Sequence, residues 1–189
     1  MKKEMRQRFR DVLARLTADE VRAKSAAAAH HLFECPEFTR AQTVMVFISL
    51  PTEVDTSPIL LRSWQDHKRV LAPRISWDQR KMLPIEIRSL TDDLVETRMG
   101  LREPVSGVPA SMNDIDLVLV PGLGFDEFGN RLGRGQGFYD QFLSSPEFHG
   151  VACALVFEEQ ITDMIPVGPL DRPVHMLVSD QRVRHFAAK

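Results

Sequence analysis

One short stretch, RLGRGQGFYDQFL at residues 131–143, concentrates glycine, arginine and aspartate side chains that could bind a charged ligand. Three glycines alternate there, and glycine is favoured where the backbone takes a positive φ or approaches a ligand closely. Apolar residues at helical spacing follow, which predicts a helix directly after the glycines. A glycine loop before a helix can bind an anion through free backbone N–H groups, and Arg131 and Arg134 would add charge-assisted contacts.

The loop matches none of the common nucleotide-binding motifs. It lacks the Lys-Ser/Thr of a P-loop, and GLGFDE at residues 122–127 has glutamate where the dinucleotide fingerprint needs its third glycine. The sequence has no HExxH or GxSxG motif and no metal-ligand cluster among its six histidines. The residues alone therefore leave two interpretations open, a phosphate site without a common motif and an arginine-rich surface loop.

Composition and charge limit the class of protein. The 189 residues are 43% hydrophobic and 26% charged, which is typical of a globular chain and predicts a single domain over residues 1–189. A net charge of −2 gives no general affinity for nucleic acid or an anionic membrane, so an anion site must be local. No segment predicts a signal peptide or a membrane span. Cys35 and Cys153 lack metal spacing, which predicts reduced thiols in a cytoplasmic protein.

Helices and strands are predicted to alternate along the chain. Helices are predicted at residues 2–15, from a Thr17–Glu20 capping box to Cys35-Pro36, from Pro58 to His67, and after the glycine loop. Strands are predicted at residues 43–49, 69–73, 81–87, 116–121, 151–157 and 175–180. Nearly all-apolar strands between helices predict an α/β fold, with a mostly parallel open sheet in a three-layer α/β/α arrangement.

Charged residues follow the carboxyl ends of several predicted strands. Open parallel sheets bind ligands in the crevice beyond these ends. The segments after four of the strands supply Glu53, Arg74, the glycine loop, and Glu158 with Glu159. We therefore expect one cleft to collect carboxylates, arginines and the glycine loop.

Four segments resemble the 5-formyltetrahydrofolate cyclo-ligase family. PGLGFDEFGNRLGRGQGFYDQFL at residues 121–143 is similar to the family's signature. FISLPTEVDT at 47–56, APR at 72–74 and ALVFEEQITDMIPVGPLD at 154–171 occur in the family's order and spacing, so the resemblance covers essentially the whole chain. It implies a Rossmann-like fold of the kind found in CoA transferases, and we expect a monomer.

The resemblance implies a ligase that forms a C–N bond. Its reaction converts 5-formyltetrahydrofolate and ATP to 5,10-methenyltetrahydrofolate, ADP and phosphate, with Mg²⁺. ATP is required because a formamide is a poor electrophile and its oxygen is a poor leaving group. Phosphoryl transfer to the formyl oxygen gives an iminium phosphate, which the N10 amine then attacks. The implied partners are these two small molecules, with no nucleic acid and no membrane.

The resemblance also assigns residues to each ligand. The ATP-binding residues are Lys2, Arg6, Arg131, Leu132, Gly133, Arg134, Gly135, Gln136, Gly137, Phe138 and Tyr139. The folate-binding residues are Ile48, Glu53, Met99, Arg134, Gly135, Gln136, Gly137 and Phe138. The catalytic residues are Arg134, which would meet the transferred phosphate, and Arg131, and the Mg²⁺ ligands are Asp140 and Asp171.

Several assignments have a plainer alternative. Lys2 and Arg6 lie one helical turn apart and could bind the same phosphates or form a solvated basic face. Asp140 could balance a helix dipole, and Asp171 could form a turn. Ile48 could pack in the core instead of against a folate.

Glu53 is the residue that would make the cleft a folate site. A carboxylate can accept two neighbouring N–H groups of a pterin in parallel. We expect Glu53 to follow the strand predicted at residues 43–49, across the crevice from the glycine loop, while other segments supply the ATP contacts.

Three residues depart from the family's pattern. Gln136 replaces a common glycine or lysine, Phe138 replaces a frequent tyrosine, and His175 stands where some members carry aspartate. These departures support one alternative function, a protein that binds 5-formyltetrahydrofolate without turning it over. Another nucleotide- or sugar-phosphate-binding α/β domain is a second alternative, because a fold does not determine a function.

Overall fold

The computed structural model describes residues 1–187, apart from the side chain of Met99. The helices are α1 Lys2–Ala14, α2 Ala18–Glu34, α3 Pro36–Arg40, α4 Ser57–Gln65 and α5 Phe138–Leu143. The strands are β1 Thr43–Met45, β2 Arg69–Ser76, β3 Lys81–Glu86, β4 Leu94–Glu96, β5 Arg102–Pro104, β6 Leu117–Val120, β7 Gly124–Asp126, β8 Arg131–Leu132, β9 Val151–Leu155, β10 Ile161–Thr162, β11 Met176–Val178 and β12 Val183–His185. One-turn 3₁₀ helices lie at Arg98–Gly100, Met112–Asp114 and Glu158–Gln160.

Seven strands form the main sheet, in the order β12-β11-β9-β6-β1-β2-β3. The five central strands are parallel, and the two edge strands β12 and β3 pair antiparallel with their neighbours. The strand order reverses between β1 and β6, which is the topological switch point where open α/β sheets bind ligands. The predicted α/β fold with a mostly parallel sheet is confirmed.

Side chains of the central strands alternate between two cores, as the pleat of a strand requires. Val44 and Leu119 belong to the core on the face covered by α2 and α4. Met45 and Val120 belong to the core on the other face, which includes Phe142 of α5. Because both faces are covered, the strands are apolar at nearly every position, and this pattern made them predictable from the sequence.

Helix α2 begins at the predicted capping box. The Thr17 hydroxyl accepts a hydrogen bond from the Glu20 backbone N–H at 3.1 Å, and the Glu20 carboxylate accepts one from the Thr17 backbone N–H at 2.8 Å. The helix ends where Cys35 takes an extended conformation, which the following Pro36 favours. None of the helices in the described residues is long and apolar enough to cross a membrane.

The structure corrects several predicted elements. The strand predicted at 43–49 pairs only over Thr43–Met45, because beyond Met45 the chain leaves the ladder with β6. The strand predicted at 69–73 continues to Ser76, because its second half forms an antiparallel hairpin with β3. Helix α3 and the short strands β4, β5, β7, β8, β10 and β12 were not predicted, since two to five residues are too few to show a periodicity.

Candidate active site

A pocket of about 790 Å³ lies beyond the carboxyl ends of β1 and β6, at the switch point of the sheet. One side is formed by the segment after β1 and by the glycine loop, and the other by the β2–β3 hairpin and β5. The start of α1 and the residues around Asp171 complete the lining. A pocket of this volume is large enough for a small-molecule ligand.

The pocket collects every predicted site residue whose side chain the structure describes. These residues are Lys2, Arg6, Ile48, Glu53, Arg131, Leu132, Gly133, Arg134, Gly135, Gln136, Gly137, Phe138, Tyr139, Asp140 and Asp171. The side chain of Met99 lies outside the described part of the chain, so its folate contact stays a prediction. The fold therefore brings these residues together in one pocket.

Three residues that were expected in the cleft lie elsewhere. Glu158 and Glu159 occupy a 3₁₀ turn that directs them to ion pairs with Arg184 at 2.6 Å and Lys24 at 2.7 Å. Arg74 lies between two pocket-lining residues of β2, so strand alternation directs its side chain away from the pocket.

His175, one of the three departures from the family's pattern, also lies outside the main pocket. Its Nδ1 accepts a hydrogen bond from the Ala152 backbone N–H at 2.8 Å, and it lines a separate cavity of about 210 Å³. The substitution at this position therefore changes no group that lines the main pocket.

The glycine loop takes a conformation that side chains would hinder. Gly135 and Gly137 have φ values of 110° and 75°, in the region that favours glycine, and Gly137 directly precedes α5. A Cβ on Gly133 would lie 2.6 Å from the Arg131 guanidinium. The loop therefore brings bare backbone to the pocket wall, as its alternating glycines predict.

Helix α1 is anchored against β7, beside the same loop. Phe9 is buried, and a Cβ on Gly124 of β7 would lie 2.3 Å from its ring, so a side chain at this position would displace Phe9. Arg6 Nε then donates a hydrogen bond to the Gly133 carbonyl at 2.9 Å, and Lys2 reaches the pocket one turn earlier. The alternative of a fully solvated basic face does not apply to these two residues.

Three ion pairs join residues that line the pocket. They are Arg134–Glu53 at 2.9 Å, Arg131–Asp140 at 3.1 Å and Lys2–Asp171 at 2.5 Å. The first joins the segment assigned to folate with the loop assigned to ATP. Hydrogen bonds from Arg134 and from the Leu50 backbone N–H hold a buried Glu53 carboxylate, so Glu53 is not separate from the loop assigned to ATP.

Burial, hydrogen bonds and charge shift the pKa values of Asp171 and Tyr139, which both line the pocket. Burial raises the pKa of Asp171, but hydrogen bonds from Lys2 and from the Gly168 backbone N–H outweigh it and lower the pKa. Burial, together with the negative charge of Glu53, raises the pKa of Tyr139. At neutral pH the Asp171 carboxyl is therefore an anion, and the Tyr139 phenol is a neutral donor.

The donor chemistry at Asp140 and Asp171 fits Mg²⁺. Carboxylate oxygens are its usual protein ligands, and it commonly takes only one or two of them beside water and phosphate oxygens. Asp140 accepts hydrogen bonds from the Arg172 backbone N–H and the Arg131 guanidinium, whereas Oδ1 of Asp171 accepts none from any described residue. Within the described residues, no three His, Cys, Asp or Glu side chains cluster as a self-sufficient metal site.

The sequence analysis missed one wall of the pocket. This wall is formed by Trp77, Arg80, Met82, Leu101, Arg102 and Glu103. The Trp77 ring meets the Phe138 ring edge-on at 5.5 Å between centroids, and the Arg98 guanidinium lies 5.4 Å from the Trp77 ring. No motif marks these residues, because they reach the pocket through the β2–β3 hairpin and through the packing of β5 beside β2.

Fold and pocket together define a class: a mostly parallel α/β protein with a glycine–arginine loop and three ion pairs around a pocket at the switch point. The sequence model of the 5-formyltetrahydrofolate cyclo-ligase family matches residues 1–180. The chain therefore belongs to that family, as the resemblance of residues 121–143 indicates.

Relatives and a solved structure agree with this assignment. The chain is similar to a 5-formyltetrahydrofolate cyclo-ligase of Mus musculus, with 30% identity over 92% of this chain and 90% of the relative. It is 29% identical to one of Escherichia coli K12, over 89% of this chain and 94% of the relative. The NMR structure of an Aquifex aeolicus 5,10-methenyltetrahydrofolate synthetase gives a TM-score of 0.86 at 27% identity, covering 100% of this chain and 94% of the other.

Proposed function

We propose that the pocket converts 5-formyltetrahydrofolate and ATP to 5,10-methenyltetrahydrofolate, ADP and phosphate. The observation that carries this proposal is the Arg134–Glu53 ion pair of 2.9 Å. It places a cation suited to phosphate beside a carboxylate suited to the N–H groups of a pterin, as two adjoining substrates require. The names of the family and of its relatives support the same reaction.

The phosphates of ATP would lie against the glycine loop and α1. Lys2, Arg6 and Arg134 all reach the pocket, and the bare backbone of the loop leaves room for phosphate oxygens. The Arg134 side chain is 34% exposed and can move to a ligand, whereas the Arg131 side chain is 6% exposed and holds Asp140. We infer that Arg134 meets the transferred phosphoryl group and that Arg131 acts by positioning Asp140.

The pterin would lie between Glu53 and an apolar wall. Glu53 accepts its N–H groups, while Ile48, Trp77 and Phe138 provide apolar contact for its rings. Ile48 also packs against the core, so the two interpretations of this residue are compatible. When a folate is bound, the Glu53 carboxylate would contact both the folate and Arg134. This shared contact would couple the two substrate sites.

The chemistry follows from this alignment. The formyl oxygen attacks the γ-phosphorus, ADP leaves, and the developing charge is met by Arg134. The N10 amine then forms its bond to the formyl carbon, and the C–O bond breaks as phosphate departs. Asp140 and Asp171 would hold Mg²⁺, which when bound neutralises phosphate charge.

A spectroscopic assay tests the proposal. Purified protein with 5-formyltetrahydrofolate should develop the near-ultraviolet absorbance of the methenyl product only when ATP and Mg²⁺ are both present, with one ADP per product. Circular dichroism confirms that the sample is folded. Folded protein that binds the folate and forms neither product nor ADP would instead be a folate-binding protein, and the proposal would be wrong.

A further inference from the structure

Four carboxylates line the pocket, and one of them differs from the other three. Glu53, Asp140 and Asp171 each pair with a cationic side chain. Glu103 on β5 lines the same pocket with a residue exposure of 7% and forms no ion pair with any described residue. It is therefore the one pocket carboxylate among the described residues that is buried without an ion pair.

Three groups near Glu103 favour its charged form, but burial outweighs them. The Ile75 backbone N–H, the Arg74 charge and the Thr97 hydroxyl each lower its pKa, although the hydroxyl donates its hydrogen bond to the Leu101 carbonyl at 3.3 Å. Burial raises the pKa of Glu103, because these groups only partly compensate for lost hydration.

The charged groups on the elements around Glu103 differ in their effect on its pKa. Arg74 on β2 lowers its pKa through the positive charge, but burial has the larger effect. Glu96 and Arg102 lie opposite each other on the β4–β5 hairpin, and Arg98 stacks on the Trp77 ring. At neutral pH Glu103 is therefore a stronger base than a carboxylate held by a cation.

The reaction proposed above needs such a base. When N10 bonds to the formyl carbon, its N–H proton must leave before the methenyl bridge is complete. A carboxylate held by a cation is a weak base, as the lowered pKa of Asp171 illustrates. General bases work best when their pKa lies near the working pH, and burial is a common means of raising a carboxyl pKa toward it.

We propose that Glu103 is the catalytic base that removes the N10 proton during ring closure, an inference that rests on the proposed function. The N10 lone pair forms the bond to the carbon of the iminium phosphate, and the N10–H bond breaks as its proton passes to the Glu103 carboxylate. The electrons of the C–O bond leave with phosphate. The protonated Glu103 later returns its proton to solvent, so atoms and charge balance.

The substitution Glu103→Gln tests the proposal, because it keeps the shape and removes the basic oxygen. We expect kcat to fall by about a hundredfold or more, the usual contribution of general base catalysis, with the folate KM changed less than about threefold. The matched control is Glu96→Gln, an exposed carboxylate on β4 outside the pocket, which should keep wild-type kcat.

A pH profile supplies a second readout that a structural role would not produce. Wild-type kcat/KM should fall as the pH is lowered through the raised pKa of Glu103, and this acidic limb should be absent in Glu103→Gln. Each pH needs an enzyme-free blank. If Glu103→Gln does not fold by circular dichroism, Glu103→Asp replaces it, with an expected loss in kcat and a retained acidic limb.

The outcomes separate this proposal from the proposed function. A wild-type protein that forms no methenyl product overturns the function itself. A wild-type protein that is active while Glu103→Gln keeps kcat within twofold, or raises only the folate KM, overturns the base alone. An acidic limb that persists in Glu103→Gln also overturns the base.

Discussion

Arg131 and Arg134 lie in the same loop, yet the structure gives them different surroundings. Arg134 is partly exposed and pairs with Glu53, whereas Arg131 is buried, binds Asp140 and lies with its guanidinium 5.5 Å from the Tyr139 ring centroid. The sequence predicts that both lie at the site and assigns the transferred phosphate to Arg134, but it does not show that Arg131 is buried, because burial is a property of the folded chain. We therefore infer that Arg134 contacts substrate, whereas Arg131 positions Asp140.

Replacement of Arg134 should affect the reaction more than the fold. We expect Arg134→Ala to lower kcat by about a hundredfold or more, because the guanidinium meets charge that develops during phosphoryl transfer. Steady-state kinetics with saturating substrates measures this change. The control is Arg88→Ala, an exposed arginine outside the pocket, which should leave kcat unchanged. Wild-type kcat in Arg134→Ala would show that Arg134 only lines the loop.

Replacement of Arg131 should instead affect stability. Arg131→Ala leaves a mostly buried Asp140 carboxylate without its cation, and we expect a loss of about 3 kcal/mol in the free energy of unfolding. Denaturant titration measures the loss. The double variant with Asp140→Asn should lose less than the sum of the single variants, since the two groups are coupled. An additive result would show that the pair contributes nothing.

At the scale of elements, the sequence predicts the parts whose signals are local. The Thr17–Glu20 capping box and the all-apolar strands are such signals, and α2 and the central strands follow them. Glu103 and Trp77 carry no local signal, because their place depends on the β2–β3 hairpin and on the packing of β5 beside β2. The sequence therefore predicts the side of the pocket that the glycine loop forms, but it does not predict the wall that carries the inferred base.

The capping box at the start of α2 can be tested independently of the candidate active site. Thr17→Ala removes the hydroxyl that accepts the Glu20 N–H, and we expect a loss of about 1 kcal/mol in the free energy of unfolding with unchanged kcat. Thr39→Ala, an exposed position within α3, should lose little and serves as the control. Equal stability of the two variants in chemical denaturation would exclude a contribution from the cap.

At the scale of the molecule, the pocket exists because distant segments meet at the switch point between β1 and β6. Helix α1 docks through Phe9 on Gly124, and this docking brings Arg6 to the glycine loop and Lys2 to Asp171 at the pocket. Both cores share one sheet, which supports our proposal that the chain forms a single domain. Because Arg134 and Glu53 join the two substrate sites, we propose that ATP and the folate bind side by side.

The central claim is that this pocket transfers the γ-phosphoryl group of ATP to the formyl oxygen of 5-formyltetrahydrofolate. The most direct test uses 5-formyltetrahydrofolate whose formyl oxygen carries a heavy isotope, with ATP and Mg²⁺, and mass spectrometry of the released phosphate. We expect each methenyl product to be accompanied by one phosphate that contains the heavy oxygen. Methenyl product with unlabelled phosphate, or no product from folded protein, would contradict it.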